Sequence, residues 1–395
     1  MPVDDLWYLS KRDRSGARLP SKRHGRGRRW RVRFIDDTGA KAEVLFDRQS
    51  DAARFDAGVR ADVARGLYVS PAAGKVTVAE FAERWRAAQL HRDSTAALVE
   101  STFRLHVNPV LGSRTLVSIR PSHIQAWVKN LDVAPSTVRS LYSHLVAMFG
   151  AAVRDRAIAT TPCIGIALPQ LPHTEHVVLT HDQVHALAEA LPARYRAMVY
   201  VGAGCGLRPS EVFGLELEHV DFLHREISVV QQLRTSPGRD PFLAPVKTRT
   251  SRRFVELPQV TAEALARHLE LHPVTGVLVS DDTDPRRPRS RPAQLVFTSS
   301  RGTPISRSVW AKTWAPAARA VGLPVGTGFH SLRHYFATLL IFAGANVKTV
   351  QMALGHSSPT ITLDTYVGLW PDQIDRTRSL VDHALGAPGP SSAAL

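Results

Sequence analysis

The sequence predicts a multidomain protein. It has a small α+β module first, an all-α middle, and a mainly α C-terminal part carrying a small antiparallel β-sheet. Three observations support this division. The chain has 395 residues, enough for two or three domains. Two linker-like stretches interrupt it, "YVSPAAGK" at 68–75 and the proline-rich "PQLPHTEHVV" at 169–178. The apolar periodicity changes at each: period two with one helix before the first, helical between them, and mixed after the second. The segments drawn on this basis are 1–70, 76–168 and 177–395.

The first segment is strongly basic. Between Lys11 and Arg33 there are eleven Lys and Arg residues and a single acid, Asp13. "RWRVRFID" sets Trp30, Val32 and Phe34 against Arg29, Arg31 and Arg33, the alternation of a strand with one apolar and one basic face. "DDTG" supplies a turn and "AKAEVLF" a second strand, with "DLWYLSKR" as an earlier one. "SDAARFDAGVRADVARG" then spaces Ala52, Phe55, Val59 and Val63 as a helix, with Gly66 as its stop. A three-stranded sheet plus one helix follows, with Arg29, Arg31 and Arg33 as candidates for binding DNA.

The middle segment reads as four or five helices. Thr77 is the N-cap of "TVAEFAERWRAAQL", which sets Phe81 and Trp85 four residues apart. The stretch "STAALVESTFRLHVNPVLG" is expected to end at Pro109 and Gly112. Pro121 and Ser122 start the next helix, and "APSTVRSLYSHLVAMFGAAVRDRAI" is long and amphipathic. In the last segment one helix follows Thr180 and another spans 193–201. "EISVVQQL" is read as one strand, and "PFLAPVKTRTSRRFVELP" as two strands around a turn at 248–251. "DDTDPRRPRSRPAQ" shows no pattern and is read as a loop, before helices predominate to the end.

Composition narrows the function. The 50 Lys and Arg against 35 Asp and Glu give a net charge of +15, which points to a polyanionic partner, most often nucleic acid. Cys163 and Cys205 are the only cysteines, so neither a disulfide framework nor a cysteine-based zinc site is expected. With no apolar leader and no run of 18 apolar residues, the protein is read as soluble and cytoplasmic, with no membrane partner.

Four features of the last segment carry chemistry. "GAGCGLRPSEVFGL" puts Arg208 after a glycine-rich turn, with Pro209 as first helical residue and Glu211 in the first turn. Neither a preceding strand nor a following Lys-Ser/Thr is present, so a phosphate loop of the nucleotide-binding kind is excluded. Lys247 follows one strand, beside a turn. "HSLRHYFATLL" puts His330 and Arg333 on one helical face, with His334 four residues after His330, while Leu332, Phe336, Leu339 and Leu340 suit a buried face. "LGHSSPTITLDTYVGL" supplies His356 and Tyr366. Together they have one chemistry. Two arginines hold the non-bridging oxygens of a phosphodiester, histidines bond the same oxygens and move a proton, and a tyrosine oxygen attacks phosphorus. A lysine protonates the departing 5′ oxygen. No cofactor, metal or nucleotide is expected.

These residues, in this order, resemble the tyrosine recombinase (phage integrase) family. The likeness is closest in "GAGCGLRPSEVFGL" and across 329–369. The resemblance implies that Arg208 and Arg333 clamp the phosphate, Lys247 acts on the leaving oxygen from a hairpin, and His330 and His356 assist. Tyr366 is then the nucleophile, Glu211 supports Arg208, and His334 is structural. Arg249 and Arg252 are further DNA-binding candidates. It also implies the tyrosine recombinase catalytic fold for 177–395 and a core-binding domain for 76–168. Segment 1–70 would be an arm-type DNA-binding domain, as in integrases of phages and integrative elements.

The implied function is site-specific recombination of double-stranded DNA at core-type and arm-type attachment sites. It would run through a 3′-phosphotyrosyl intermediate and a Holliday junction in a homotetramer, with an excisionase and a DNA-bending protein as further partners. The apolar spacing of 371–386 allows a tail helix that docks on a neighbouring subunit. A type IB topoisomerase-like enzyme and a catalytically inactive DNA-binding regulator are the alternatives.

Overall fold

The computed structural model describes residues 3–35, 41–64, 73–172, 178–236 and 238–366. Its contacts divide the chain into two compact units, Met1–His173 and Thr174–Leu395.

In the first unit, β1 (Val3–Asp5), β4 (Trp30–Ile35) and β5 (Lys41–Phe46) form an antiparallel sheet in the order β1-β4-β5. Helix α1 (Gln49–Ala64) covers one face, and Val32, Phe34, Ala52 and Val59 are buried there. Val63 is 48% exposed and does not join that core. The early strand is broken in two. The Asp5 carboxylate accepts from Trp7 N–H at 3.1 Å, and the chain then leaves the sheet to form a separate hairpin. That hairpin is β2 (Tyr8–Arg12) paired with β3 (Arg18–Pro20). The turn at 36–39 and Gly66 lie outside the described residues.

The helical part of this unit has its own core. Thr77 caps α2 (Val78–Ala87) in a reciprocal box. Its hydroxyl accepts from Glu80 N–H at 3.2 Å, and its own N–H donates to the Glu80 carboxylate at 2.9 Å. α3 (Asp93–Thr102) does not stop before Pro109. It runs into a π-helical stretch, Phe103–Gly112, that contains this proline. The wider hydrogen-bond pattern accommodates a residue that has no N–H to give, and Phe103, Val107 and Leu111 are buried along it. α4 (Pro121–Lys129) and α5 (Pro135–Arg154) complete the bundle.

In the second unit, Thr180 caps α6 (His181–Ala190), and α7 (Ala193–Cys205) extends four residues past the expected end. Gly202 and Gly204 are therefore helical, not part of a turn. A Cβ on Gly202 would lie 2.9 Å from Leu332 Cδ1, so these glycines permit close helix approach. Gly206 alone makes the turn, at φ +63°. α8 (Pro209–Phe213) follows.

Two small sheets come next. β6 (Val220–Asp221), β7 (Glu226–Val229) and β10 (Arg253–Glu256) pair antiparallel in the order β10-β7-β6. β8 (Gln231–Ser236), β9 (Arg239–Pro245), β11 (Val277–Asp281) and β12 (Arg289–Ala293) form a sheet in the order β12-β11-β9-β8, with β9 and β11 parallel. "EISVVQQL" is thus two strands, divided at Val230 between two sheets. The strands on either side of Lys247 do not pair with each other, so the expected hairpin is a crossover between sheets. The arginine-rich "loop" contains strand β12. Arg291 is held at 2.6 Å by each of Glu216 and Asp281, whose side chains are almost wholly buried.

The remaining helices are α9 (Gln259–Leu271), α10 (Arg307–Ala320), α11 (His330–Phe342), α12 (Val347–Leu354) and α13 (Pro359–Tyr366). On α11 the buried set is Ser331, Leu332, Arg333, Tyr335, Ala337, Thr338 and Ile341, whereas Leu339 is 47% exposed and does not anchor the helix. The tail at 371–386 lies outside the described residues. No helix among the described residues is long and apolar enough to cross a membrane.

The α5 core should be intolerant of truncation. Phe149 is fully buried, so Phe149→Ala should cost about 3–5 kcal/mol by urea unfolding. A loss under about 1 kcal/mol would contradict the packing described for this bundle.

Candidate active site

Residues from four parts of the second unit meet at one place. The turn at Gly206 delivers Arg208 to the start of α8, where the local sequence fixes it. Glu211, three residues on, accepts from Arg208 N–H at 2.9 Å and from its guanidinium Nη1 at 2.8 Å. The same carboxylate accepts from Arg253 of β10, at 3.1 and 3.3 Å. Arg253 also donates to Ala353 O at 3.0 Å, which ties β10 to the end of α12. Arg333 of α11 donates to Gly206 O at 2.6 Å and to Leu354 O, and is 1% exposed. Arg208 Nη2 reaches the next carbonyl, Gly355 O, at 3.4 Å.

The charges here do not balance. Three guanidinium groups meet one buried carboxylate. Burial alone would raise the Glu211 pKa, but Arg253 and Arg208 outweigh it and hold the carboxyl below its usual range. Burial first, then the like charges of Arg208 and Arg253, push Arg333 down to about 9, so it stays protonated at neutral pH. A buried cation whose direct partners are two backbone carbonyls is favoured by a bound anion, and a phosphodiester supplies one.

Around this centre stand His356 and Tyr366. His356 follows the left-handed Gly355 that ends α12, and its Nδ1 lies 2.9 Å from Thr362 Oγ1. Burial and then the arginine charges push His356 down to about 4, so it is neutral at physiological pH and suited to donate a hydrogen bond. Tyr366 ends α13 and is 2% exposed, packed with Ala337, Ile341, Val350 and Leu354. Burial raises its phenol to about 12, against the opposing pull of Arg333, so its proton needs an acceptor.

The polar group in contact is His334, whose Nδ1 lies 2.7 Å from Tyr366 Oη and accepts its hydrogen when Nε2 carries the ring proton. His330 is exposed at the head of α11, its ring 4.9 Å from that of His334. Two contacts of this site are not marked in the sequence. His334, expected to be structural, lies within hydrogen-bond distance of the tyrosine oxygen. Arg253 was seen only as one of several arginines near Lys247, and nothing local marks it as the second partner of Glu211.

The other expected residues stand apart from this network. Lys247 is exposed on the crossover, without a hydrogen bond to the cluster among the described residues. It lies three residues before Thr250, whose carbonyl is 3.1 Å from where a Cβ on Gly355 would be, so its segment borders the site. Arg252 is exposed, and the side chain of Arg249 lies outside the described residues. Arg29, Arg31 and Arg33 belong to the first unit and are paired with Asp5 and Asp4.

The depressed His356 makes a testable link to pH. The folded state keeps this imidazole neutral down to about pH 4, whereas the unfolded chain protonates it near 6.5. Its contribution to stability is therefore complete above about 6.5 and is lost as pH falls toward 4. His356→Asn, which keeps a polar partner for Thr362 but does not titrate, should flatten the pH dependence of unfolding in that window. An unchanged slope would contradict the buried, neutral state of His356.

Comparisons with known proteins agree with the geometry. The family profile described as "Phage integrase family" matches residues 177–370, and "Phage integrase, N-terminal SAM-like domain" matches 77–131. An integrase of Mycobacterium phage D29 is 25% identical over 368 residues, covering 90% of this chain and 93% of that protein. Tyrosine recombinase XerC 1 of Ralstonia nicotianae is 30% identical over 264 residues, covering 62% and 73%. Among solved structures, the Tn1549 transposon integrase in complex with transposon right end DNA superposes with a TM-score of 0.67 at 23% identity. The match covers 78% of this chain and all of that one. A lambda integrase tetramer bound to a Holliday junction gives 0.54 at 18%, covering 83% and 93%. The chain belongs to the phage integrase family of tyrosine recombinases.

Proposed function

We propose that this enzyme is a site-specific integrase that joins a mobile element to a target DNA. The observation that carries the reading is the excess of buried guanidinium charge lying beside a tyrosine whose oxygen is bonded to a base. Arg208 and Arg333 bind the non-bridging oxygens of the scissile phosphate and offset the charge that builds at phosphorus, with His356 as a neutral donor to the same oxygens. Tyr366 Oη attacks phosphorus while its proton passes to His334 Nδ1, which accepts when Nε2 carries the ring hydrogen. The bond to the 5′ oxygen breaks, and Lys247, from the bordering crossover, supplies the proton that this oxygen takes up. The 3′-phosphotyrosyl ester conserves the bond energy. A 5′ hydroxyl of the partner strand reverses the step, and two rounds pass through a Holliday junction.

The same reading assigns core-site binding to 76–168 and arm-site binding to 1–70. The match to the phage D29 integrase, which spans 90% of this chain, supports an integrase with an extra N-terminal segment. Assembly as a homotetramer on DNA, with an excisionase and a DNA-bending protein as further partners, in a bacterial cytoplasm, completes it. The names of the relatives favour this over a topoisomerase-like enzyme or an inactive regulator.

The test uses a nicked duplex carrying the core attachment sequence, which traps the covalent intermediate. Tyr366→Phe should bind this duplex yet form no adduct. His334→Ala should form it roughly 10²–10⁴-fold more slowly and lose the acidic limb of the pH–rate profile. An adduct with Tyr366→Phe would remove the nucleophile assignment, and an unchanged rate and profile with His334→Ala would remove the proton acceptor.

A further inference from the structure

Four ring side chains of the second unit form a hydrogen-bonded chain that the phosphate site does not use. His181 is the first residue of α6, and His185 lies one turn on. His181 Nδ1 is 3.2 Å from Tyr335 Oη of α11, and His185 Nδ1 is 3.0 Å from Tyr200 Oη of α7. The two remaining ring nitrogens, His181 Nε2 and His185 Nε2, stand 3.2 Å apart. Val184, Leu187 and Ala188 hold α6 in the core, whereas His181 is exposed and His185 half-buried, so the pair is open to solvent.

This is the spacing at which two imidazoles share one ion. Residues four apart on a helix lie on one face. Two nitrogens about 2.0–2.1 Å from one tetrahedral zinc lie about 3.3–3.4 Å from each other. The separation found here is within about 0.2 Å of that, the tolerance that a metal site allows. The ring centroids are only 4.5 Å apart, with the planes at 79°, so the nitrogens stand side by side and do not meet head on.

The tyrosines add an independent argument. An imidazole that binds a metal through one nitrogen donates the hydrogen of the other to a fixed acceptor. Burial above all raises both phenols, so Tyr200 and Tyr335 keep their hydroxyls and are uncharged acceptors. When each Nδ1–H donates to its tyrosine, both Nε2 atoms present lone pairs at once. Two lone pairs at this distance repel each other, and a cation between them removes the repulsion. Without a cation, one Nε2 carries the hydrogen and donates to the other.

We propose that His181 and His185 bind a divalent transition-metal ion of the zinc class through their Nε2 atoms, with Tyr335 and Tyr200 as the acceptors that fix the two rings. Water completes the coordination. Neutral imidazole suits zinc, copper and nickel, whereas magnesium and calcium take oxygen ligands. Both ligands belong to α6, so the ion staples the first turns of that helix. It also sets the direction of the hydrogen bonds that join α6 to α7 and α11. Because α11 carries Arg333 and His334, the bound ion supports the helix on which the phosphate site is built. With two protein ligands the site is open and weaker than a closed structural zinc site.

Calorimetric titration of zinc chloride into the untagged full chain decides it, with magnesium chloride as the control. The wild type should bind zinc and give no binding heat with magnesium. His181→Gln and His185→Gln should each remove one zinc site. Tyr200→Phe keeps both ligands and loses one acceptor, so it should weaken that site roughly 10–100-fold. In the presence of a chelator all three variants should keep the circular dichroism spectrum of the wild type. Saturating zinc should then raise the thermal midpoint of the wild type and of Tyr200→Phe, and leave that of the two histidine variants alone. No zinc binding by the wild type overturns the proposal. So does a zinc stoichiometry that both histidine variants retain, which would place the ion on other histidines. An unchanged affinity in Tyr200→Phe overturns the part given to the tyrosines.

Discussion

The second unit is organised around one electrostatic constraint: two arginines share one buried carboxylate, and a third, Arg333, is buried beside them on backbone carbonyls. Glu211 cannot be buried alone, and Arg333 cannot be buried at 1% exposure without acceptors. The fold meets both needs by bringing three chain ends to the same point. The turn at Gly206 offers a carbonyl, the end of α12 offers three more, those of Ala353, Leu354 and Gly355, and β10 sends in Arg253. What remains is surplus positive charge, which suits the site to an anion. A site that balanced its own charge would bind a phosphodiester less well. The cost of assembling it is carried by the apolar core that holds α7 against α11, where Gly202 lets the two helices approach.

Chemistry at the tyrosine follows from the same arrangement. A buried phenol raised to about 12 is a poor nucleophile until its proton leaves. The positive centre favours the phenolate, as the opposing influence of Arg333 shows, and His334 stands at hydrogen-bond distance to take the proton. His356, held neutral by the same arginines, is suited to donate a hydrogen bond to a phosphate oxygen rather than to add a further charge.

Features encoded over a few residues were legible in the sequence. The caps at Thr77 and Thr180, the proline start of α4, and the pairing of Arg208 with Glu211 three residues later all depend on local spacing. Features that depend on a distant partner were not. Arg253 gains its meaning from a carboxylate 42 positions away, and His334 from a tyrosine 32 positions away. Strand β12 looks like an arginine-rich loop because its stabilising acids, Glu216 and Asp281, come from other parts of the chain. The same holds in the first unit, where Arg29 and Arg31 are paired with Asp5 and Asp4, some 25 residues upstream. Glycine also misled: "GAGCG" suggests a loop by composition, but two of its three glycines serve helix packing.

The most direct measurement is the structure of the covalent complex trapped on a nicked attachment-site duplex. The account predicts a phosphorus bonded to Tyr366 Oη, with its non-bridging oxygens held by Arg208 and Arg333 and approached by His356. A phosphate bonded to another residue, or one lying away from the Arg208–Glu211–Arg333 cluster, would contradict it.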